Sequence, residues 1–236
     1  NGEEAPPKPP TREEPVIPII SNIDVDAISR GRAGTAPAPS SGAAPNTSPV
    51  ETVQARGTSP DSLGLILSVS GEKGGRLLTN ADVIAMGTPW EEEDIVRRTG
   101  IETRRWLSEG ETAVDLAVRA ATRALDRIGM PLTAVSSIVC ATETPQQQTP
   151  ATAALVQYHL RKHYEIDEKQ YHPAAYDINA ACTGYVYGLQ IAYDQLVSRP
   201  GSVILLLTAE ALSPRLDMND PGTAPIFGDA ATATVV

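Results

Sequence analysis

One twelve-residue segment, Tyr-Asp-Ile-Asn-Ala-Ala-Cys-Thr-Gly-Tyr-Val-Tyr at positions 176–187, constrains this chain most, because it joins a short apolar strand directly to a helix. Cys182 lies at the junction. The first turn of a helix has unpaired N–H groups and the positive end of the macrodipole, so a thiolate there is stabilised. Ala180, Ala181 and Gly184 are small and leave room for a substrate carbonyl beside the sulfur. The segment predicts a cysteine nucleophile for acyl transfer through a thioester.

Strands and helices alternate over residues 61–236, which indicates an α/β fold built from βαβ crossovers. Short apolar runs predict strands at 63–69, 135–141, 174–180, 202–208 and 230–236. Amphipathic periodicity predicts helices at 111–128, 150–161 and 183–196. In the second of these helices, Thr149 is the predicted N-cap and Pro150 the first helical residue.

Residues 1–60 differ in composition from the rest of the chain. They are rich in Pro, Ala, Ser, Gly and Thr, with a low-complexity stretch at 34–45. Such a composition buries too little apolar surface to offset the entropy of ordering, so it predicts a tail or linker. Positions 15–26 are more apolar and fit a docking segment. The predicted organisation is therefore a tail at 1–60 followed by one folded region at 61–236.

Charge and composition exclude several classes of function. The formal net charge is −10 and no basic stripe is visible in the sequence, which argues against a nucleic-acid partner. No apolar run approaches the ~18 residues that a membrane span needs. The two cysteines, Cys140 and Cys182, have no repeated spacing, which fits a reducing compartment and no metal site. We expect a cytoplasmic protein, or one of the plastid stroma in a eukaryote.

Four sequence blocks, in this order, resemble the β-ketoacyl-acyl carrier protein synthase III group of the thiolase fold. They are Arg-Thr-Gly-Ile-Glu-Thr-Arg-Arg at 98–105, Gln-Thr-Pro-Ala-Thr-Ala-Ala-Leu-Val-Gln at 148–157, Asp-Ile-Asn-Ala-Ala-Cys-Thr-Gly at 177–184 and Gly-Thr-Ala-Pro-Ile-Phe-Gly-Asp-Ala-Ala at 222–231. The resemblance covers residues 61–236. It implies the N-terminal half of a thiolase-like fold, a mixed sheet with flanking helices.

The resemblance implies a reaction. Cys182 takes the acyl group of a coenzyme A or acyl carrier protein thioester, and decarboxylated malonyl-carrier protein then attacks it in a Claisen condensation. This chemistry starts fatty acids or polyketides and needs no further cofactor. Arg98, Gln148 and Thr149 are the implied substrate-binding residues. Thr149 aligns with a Phe that narrows the acyl pocket in acetyl-selective members, so we expect a roomier pocket.

Two departures from the resembled family bear on coenzyme A. The Trp that stacks on adenine in many members aligns with Asp94, while Trp90 lies four residues earlier. An Arg associated with coenzyme A aligns with Pro214, and Arg215 follows it. We therefore expect weak binding of coenzyme A and a preference for a carrier-protein thioester.

The catalytic His and Asn that the resemblance implies belong to the second half of the fold. The histidines of this chain, His159, His163 and His172, all precede Cys182 and match no motif. Whether the chain is an active enzyme is therefore open. It is completed by a companion C-terminal half or partner chain in a homo- or hetero-oligomer, or it is a non-catalytic subunit acting as a scaffold. Ester or amide formation on the same fold is a third possibility.

Overall fold

The computed structural model of this chain describes residues 66–236. The predicted tail and the beginning of the first predicted strand lie outside these residues. The strands are β1 Ser68–Lys73, β2 Arg76–Thr79, β3 Thr103–Trp106, β4 Val135–Ala141, β5 Ala174–Ile178, β6 Val203–Glu210 and β7 Ala230–Val235. The helices are α1 Asn80–Ala85, α2 Glu92–Thr99, α3 Ala113–Arg127, α4 Thr152–His163 and α5 Gly184–Ser198.

Five strands form one mixed sheet in the order β1-β7-β6-β4-β5. β4 pairs in parallel with both β5 and β6, whereas β7 runs antiparallel to β6 and β1. Parallel neighbours need crossover connections, and α4 and α5 supply them. The predicted α/β fold with a mixed sheet and flanking helices is therefore confirmed.

Helices cover the two faces of this sheet unequally. α3 and α4 pack on one face, in a core that includes Leu116, Leu125, Ile138, Leu160 and Leu205. α5 packs alone on the other face, against Val139, Ile204 and Leu206. The outer side of α5 stays exposed, with Val186 at 67% and Tyr187 at 57% of full exposure. In the described part of the chain, nothing covers this apolar side of α5.

Hydrogen bonds from side chains determine where two of the helices begin. Thr112 and Asp115 form a capping box that starts α3 at Ala113, two residues inside the helix predicted from the sequence. The helix predicted at 150–161 is present as α4, but its predicted start was wrong, since the helix begins at Thr152 and not at Pro150. The carboxylate of Asp177, in β5, accepts hydrogen bonds from the backbone N–H groups of Thr152 and Ala153 at 2.7 and 2.8 Å. A side chain from a neighbouring strand thus replaces the predicted Thr149 cap.

A hairpin excursion between β1 and α3 was not predicted. It contains β2 paired with β3, together with α1 and α2, around a small core of Leu78, Val83 and Trp106. Asp229, only 1% exposed, ties the excursion to the sheet. Its carboxylate accepts hydrogen bonds from the Leu107 N–H and from the N–H and hydroxyl of Ser213. The Asp229 side chain therefore joins the excursion to the loop that follows β6.

The edge strand β1 is held by arginines of α3. The guanidinium groups of Arg119 and Arg123 form ion pairs with the carboxylate of Glu72. Arg127 Nη1 donates a hydrogen bond of 2.6 Å to the backbone carbonyl of Val69. α3 is therefore fixed along the outer strand by charge as well as by apolar packing.

No helix in residues 66–236 has the length and hydropathy needed to cross a membrane.

α5 approaches the backbone of the sheet closely at its first residue. A Cβ atom placed on Gly184 would lie 2.9 Å from Cβ of Ala141 in β4, a separation that real Cβ atoms do not adopt. By contrast, a Cβ atom on Gly71 in β1 would meet its neighbours at ordinary contact distances of 3.7 Å or more. Only glycine therefore allows α5 to start where it does.

We expect Gly184→Ala to lower the free energy of unfolding by about 1–3 kcal/mol, because the added methyl overpacks the contact with β4. Gly71→Ala is the matched control, and we expect it to change stability by less than about 0.5 kcal/mol. Denaturant unfolding of both variants measures the difference. Equal stability of the two variants would contradict the close approach at Gly184.

Candidate nucleophile site

The four residues predicted as site residues lie at one end of the five-stranded sheet. β4 and β5 are parallel, so the loop with Gln148 and Thr149 and the turn with Cys182 both follow carboxyl ends of strands at that end. Arg98 lies in the excursion that leaves β1 at the same end, where Lys73 pairs with the first residue of β7. Within residues 66–236, no hydrogen bond joins any two of the four. The topology thus gathers them around one region without linking them directly.

Cys182 occupies a short 3-10 turn, Ala181–Thr183, between β5 and α5. Its side chain is exposed and its thiol is free. The helix begins two residues later, at Gly184, whose N–H donates to the Ala181 carbonyl. The predicted strand-to-helix junction is present, with one turn of 3-10 helix inserted before α5.

The turn before Cys182 is conformationally unusual. Ala181 has φ 46°, in the left-handed region that costs a non-glycine residue roughly 1–2 kcal/mol. Asn179 Oδ1 accepts a hydrogen bond of 3.3 Å from the Ala181 N–H. The Ala180 carbonyl accepts from both the N–H and the hydroxyl of Thr183, at 3.1 and 2.6 Å. These three bonds hold the backbone in the strained conformation.

The backbone N–H of Cys182 has no hydrogen-bond partner within residues 66–236. It lies at the beginning of α5, where the helix dipole favours negative charge. An N–H group in this position is a candidate donor to an oxyanion that develops on a carbonyl attacked by the sulfur. The turn therefore combines an exposed thiol with a free donor, which suits acyl transfer.

Arg98 is engaged by neighbours in the hairpin excursion. Its guanidinium carbon lies 4.9 Å from the centroid of the Trp90 ring, a cation–π arrangement. Asp94 pairs with Arg97 and approaches Arg98 Nε at 4.0 Å. Trp90 is therefore part of the same cluster as Arg98, although it does not align with the Trp of the resembled family.

Gln148 and Thr149 are exposed in the loop between β4 and α4. Two carboxylates set the ends of this loop. Glu210, in β6, accepts hydrogen bonds from the Glu143 N–H at 2.9 Å and the Thr144 hydroxyl at 2.5 Å. Asp177 holds the beginning of α4, as described above. The loop is thus anchored on both sides while Gln148 and Thr149 remain accessible.

The second cysteine is in the core. Cys140 is completely buried in β4. Burial, together with the carboxylates of Asp177 and Glu210, raises the pKa of the Cys140 thiol well above its ordinary value. This thiol is therefore protonated and inaccessible in the folded protein.

None of the three histidines lies near the Cys182 turn. His159 and His163 are exposed on α4, on the sheet face opposite α5. His172 precedes β5, whereas Cys182 follows it. Among residues 66–236, no group of three or more His, Cys, Asp or Glu side chains is arranged to hold a metal ion.

The sequence reasoning missed Asn179, Thr183 and Glu210. Asn179 carried a usable signal, since Asn side chains often accept a backbone N–H two residues on in turns. The role of Glu210 depends on a contact across 66–67 residues, and no local pattern reveals it.

Comparisons with known proteins show which sequences and structures this chain resembles. A family model described as 3-Oxoacyl-[acyl-carrier-protein (ACP)] synthase III matches residues 176–236. The chain is 40% identical over 161 residues to a Beta-ketoacyl-[acyl-carrier-protein] synthase III of Nitratidesulfovibrio vulgaris, a match covering 68% of this chain and 46% of that protein.

Two crystal structures extend the similarity to the fold. The synthase III from Aquifex aeolicus VF5 matches with a TM-score of 0.64 at 35% identity, over 72% of this chain and 52% of that one. The priming β-ketosynthase from the R1128 polyketide biosynthetic pathway matches with a TM-score of 0.64 at 30% identity, over 72% and 48%. The chain therefore spans about half the length of the relatives it matches.

We expect iodoacetamide to alkylate Cys182 in the folded protein and to leave Cys140 unmodified, because only the first thiol is exposed. Peptide mapping by mass spectrometry after brief labelling measures this. Cys182→Ala is the control, and we expect it to remove labelling until the protein is unfolded. Labelling of Cys140 in the folded protein would show that the core is not packed as described.

Proposed function

Since the described part of this chain is a synthase III-like protein of the thiolase fold, we propose that it forms an acyl thioester on Cys182 and supports a decarboxylative Claisen condensation. The observation that carries the proposal is the exposed Cys182 thiol at the start of α5, next to its own unpartnered N–H. A condensing reaction of this kind starts a fatty acid or a polyketide chain. The chain matches both a Beta-ketoacyl-[acyl-carrier-protein] synthase III and a priming β-ketosynthase of a polyketide biosynthetic pathway.

In this proposal Cys182 is the nucleophile. Its sulfur adds to the thioester carbonyl, the Cys182 N–H donates to the oxyanion, and the carrier thiol leaves, which gives an acyl-cysteine. The second substrate is malonyl-carrier protein. The His and Asn that the resemblance implies for decarboxylation match no motif in this sequence, so we assign them to a companion half or partner chain.

We propose an acyl carrier protein as the main source of the acyl group. Arg98 is one of the implied substrate-binding residues, but its guanidinium already lies over Trp90 and beside Asp94. The carboxylate of Asp94 would also repel coenzyme A phosphates. A carrier protein delivers its thioester without a nucleotide and avoids this cost.

The exposed side of α5 supports the companion half. Val186, Tyr187 and Val197 are exposed on α5, whereas the other face of the sheet is packed against α3 and α4. Burial of apolar surface contributes about 25 cal/mol per Å², so covering this face would stabilise the fold strongly. No feature of the described residues favours the scaffold alternative over the enzyme.

The test is a series of acyl-carrier protein thioesters of increasing chain length, incubated with the purified protein and followed by intact mass. We expect acyl adducts that disappear in Cys182→Ala and persist in Cys140→Ala. Because Thr149 is small and exposed, we expect medium and branched chains to react as well as acetyl. Absence of adducts with every thioester would reject the function and favour the scaffold. Reaction with acetyl alone would reject the roomy pocket.

We expect residues 61–236, expressed alone, to associate rather than to form a stable monomer, because the apolar side of α5 has no cover in this part of the chain. Sedimentation velocity measures this. Lys substitutions at Val186 and Tyr187 are the matched comparison, and we expect them to reduce association. A monodisperse, cooperatively folded monomer of the unmodified fragment would contradict the need for a companion.

A further inference from the structure

The peptide group between Ala180 and Ala181 is held at both of its ends. Its carbonyl oxygen accepts hydrogen bonds from the Thr183 N–H and hydroxyl, at 3.1 and 2.6 Å. Its N–H donates to Asn179 Oδ1 at 3.3 Å. Two side chains, one on each side of Cys182, therefore fix the plane of the peptide that precedes the one carrying the Cys182 N–H.

The fixed peptide determines where the next N–H group points. With the 180–181 peptide held, the φ angle of 46° at Ala181, together with the ψ angle of that residue, sets the orientation of the following peptide, which carries the Cys182 N–H. The carbonyl of that second peptide accepts from the Gly184 N–H, and its N–H is left without a partner in residues 66–236. An alanine relaxes readily out of the left-handed region unless neighbouring bonds oppose this.

We propose that Asn179 and Thr183 are positioning residues that clamp the nucleophile turn and aim the Cys182 N–H at the oxyanion. The inference rests on the proposed acyl transfer and adds two residues to it. Neither residue touches the reacting atoms, and each acts through the backbone of Ala181 and Cys182. The backbone of Ala181 is strained, and the hydrogen bonds of the Asn179 and Thr183 side chains hold it in that conformation.

If Asn179 and Thr183 act as this clamp, their loss should affect two reactions of the Cys182 sulfur differently. Thioester acylation passes through a tetrahedral oxyanion: the thiolate adds to the carbonyl carbon, then the carrier thiolate leaves with the electron pair. Alkylation by iodoacetamide displaces iodide at a saturated carbon and forms no oxyanion. Loss of the clamp is therefore expected to slow acylation and to spare alkylation.

The experiment compares the rate constants of both reactions at Cys182, measured by intact mass on the full chain in its purified assembly. The variants are Asn179→Ala and Thr183→Val, with Thr183→Ser restoring the hydroxyl. Ser198→Ala is the matched control, since the Ser198 hydroxyl makes the same kind of bond, 2.8 Å to the Asp194 carbonyl, at the far end of α5.

We expect Asn179→Ala and Thr183→Val to lower the acylation-to-alkylation ratio by roughly tenfold, less than the ~10²–10³ lost when an oxyanion donor is removed outright. Thr183→Ser and Ser198→Ala are expected to keep the ratio within about twofold of the parent, since neither removes a clamp bond. The proposal is overturned if both rates fall together, if neither changes, or if Thr183→Ser behaves like Thr183→Val. A parent protein that is alkylated but never acylated rejects the proposed function itself, and the clamp with it.

Discussion

The parallel pairing of β5, β4 and β6 is the constraint on which the site depends. Parallel strands have their carboxyl ends at the same end of the sheet, so the connections that follow these strands begin close to one another. The Cys182 turn follows β5 and the loop with Gln148 and Thr149 follows β4. Nothing about these residues alone would bring them to the same region. The sheet order does so, and the antiparallel β7 closes the arrangement by returning the chain between β6 and β1.

Two half-buried carboxylates hold the loop between β4 and α4 in place at this end of the sheet. Asp177 joins β5 to the first turn of α4, and Glu210 joins β6 to the loop after β4. Both act on the backbone of the loop that holds Gln148 and Thr149. The same two carboxylates also disfavour ionisation of the Cys140 thiol. One pair of acids therefore shapes the loop and helps to keep the core cysteine neutral, while the exposed Cys182 lies beyond them.

The sequence predicted what depends on local pattern. Apolar runs and amphipathic periods located β4, β6, α3 and α5 to within a few residues, and the strand–cysteine–helix pattern located Cys182. Prediction from the sequence failed where contacts between distant residues determine the structure. The predicted Thr149 cap was replaced by Asp177, which is 25 and 24 residues from Thr152 and Ala153, the residues whose N–H groups it binds. The hairpin excursion is held by contacts such as Trp106 Nε1 to the Phe227 carbonyl, across 121 residues. Its strands are only four residues long, too short to show a clear alternation.

The Arg127 hydrogen bond to the Val69 carbonyl has a consequence for how this sheet meets other chains. An exposed edge strand offers unpaired carbonyl and N–H groups to any extended segment, and a cation placed on the edge blocks such pairing. At β1 one carbonyl is already occupied, and Glu72 is tied to two more arginines. At the opposite edge, β5 exposes Ala174 and Tyr176 without comparable charges. Pairing with a further strand is thus opposed at the β1 edge of the sheet and not at the β5 edge. Any assembly of this protein by strand pairing would therefore use β5.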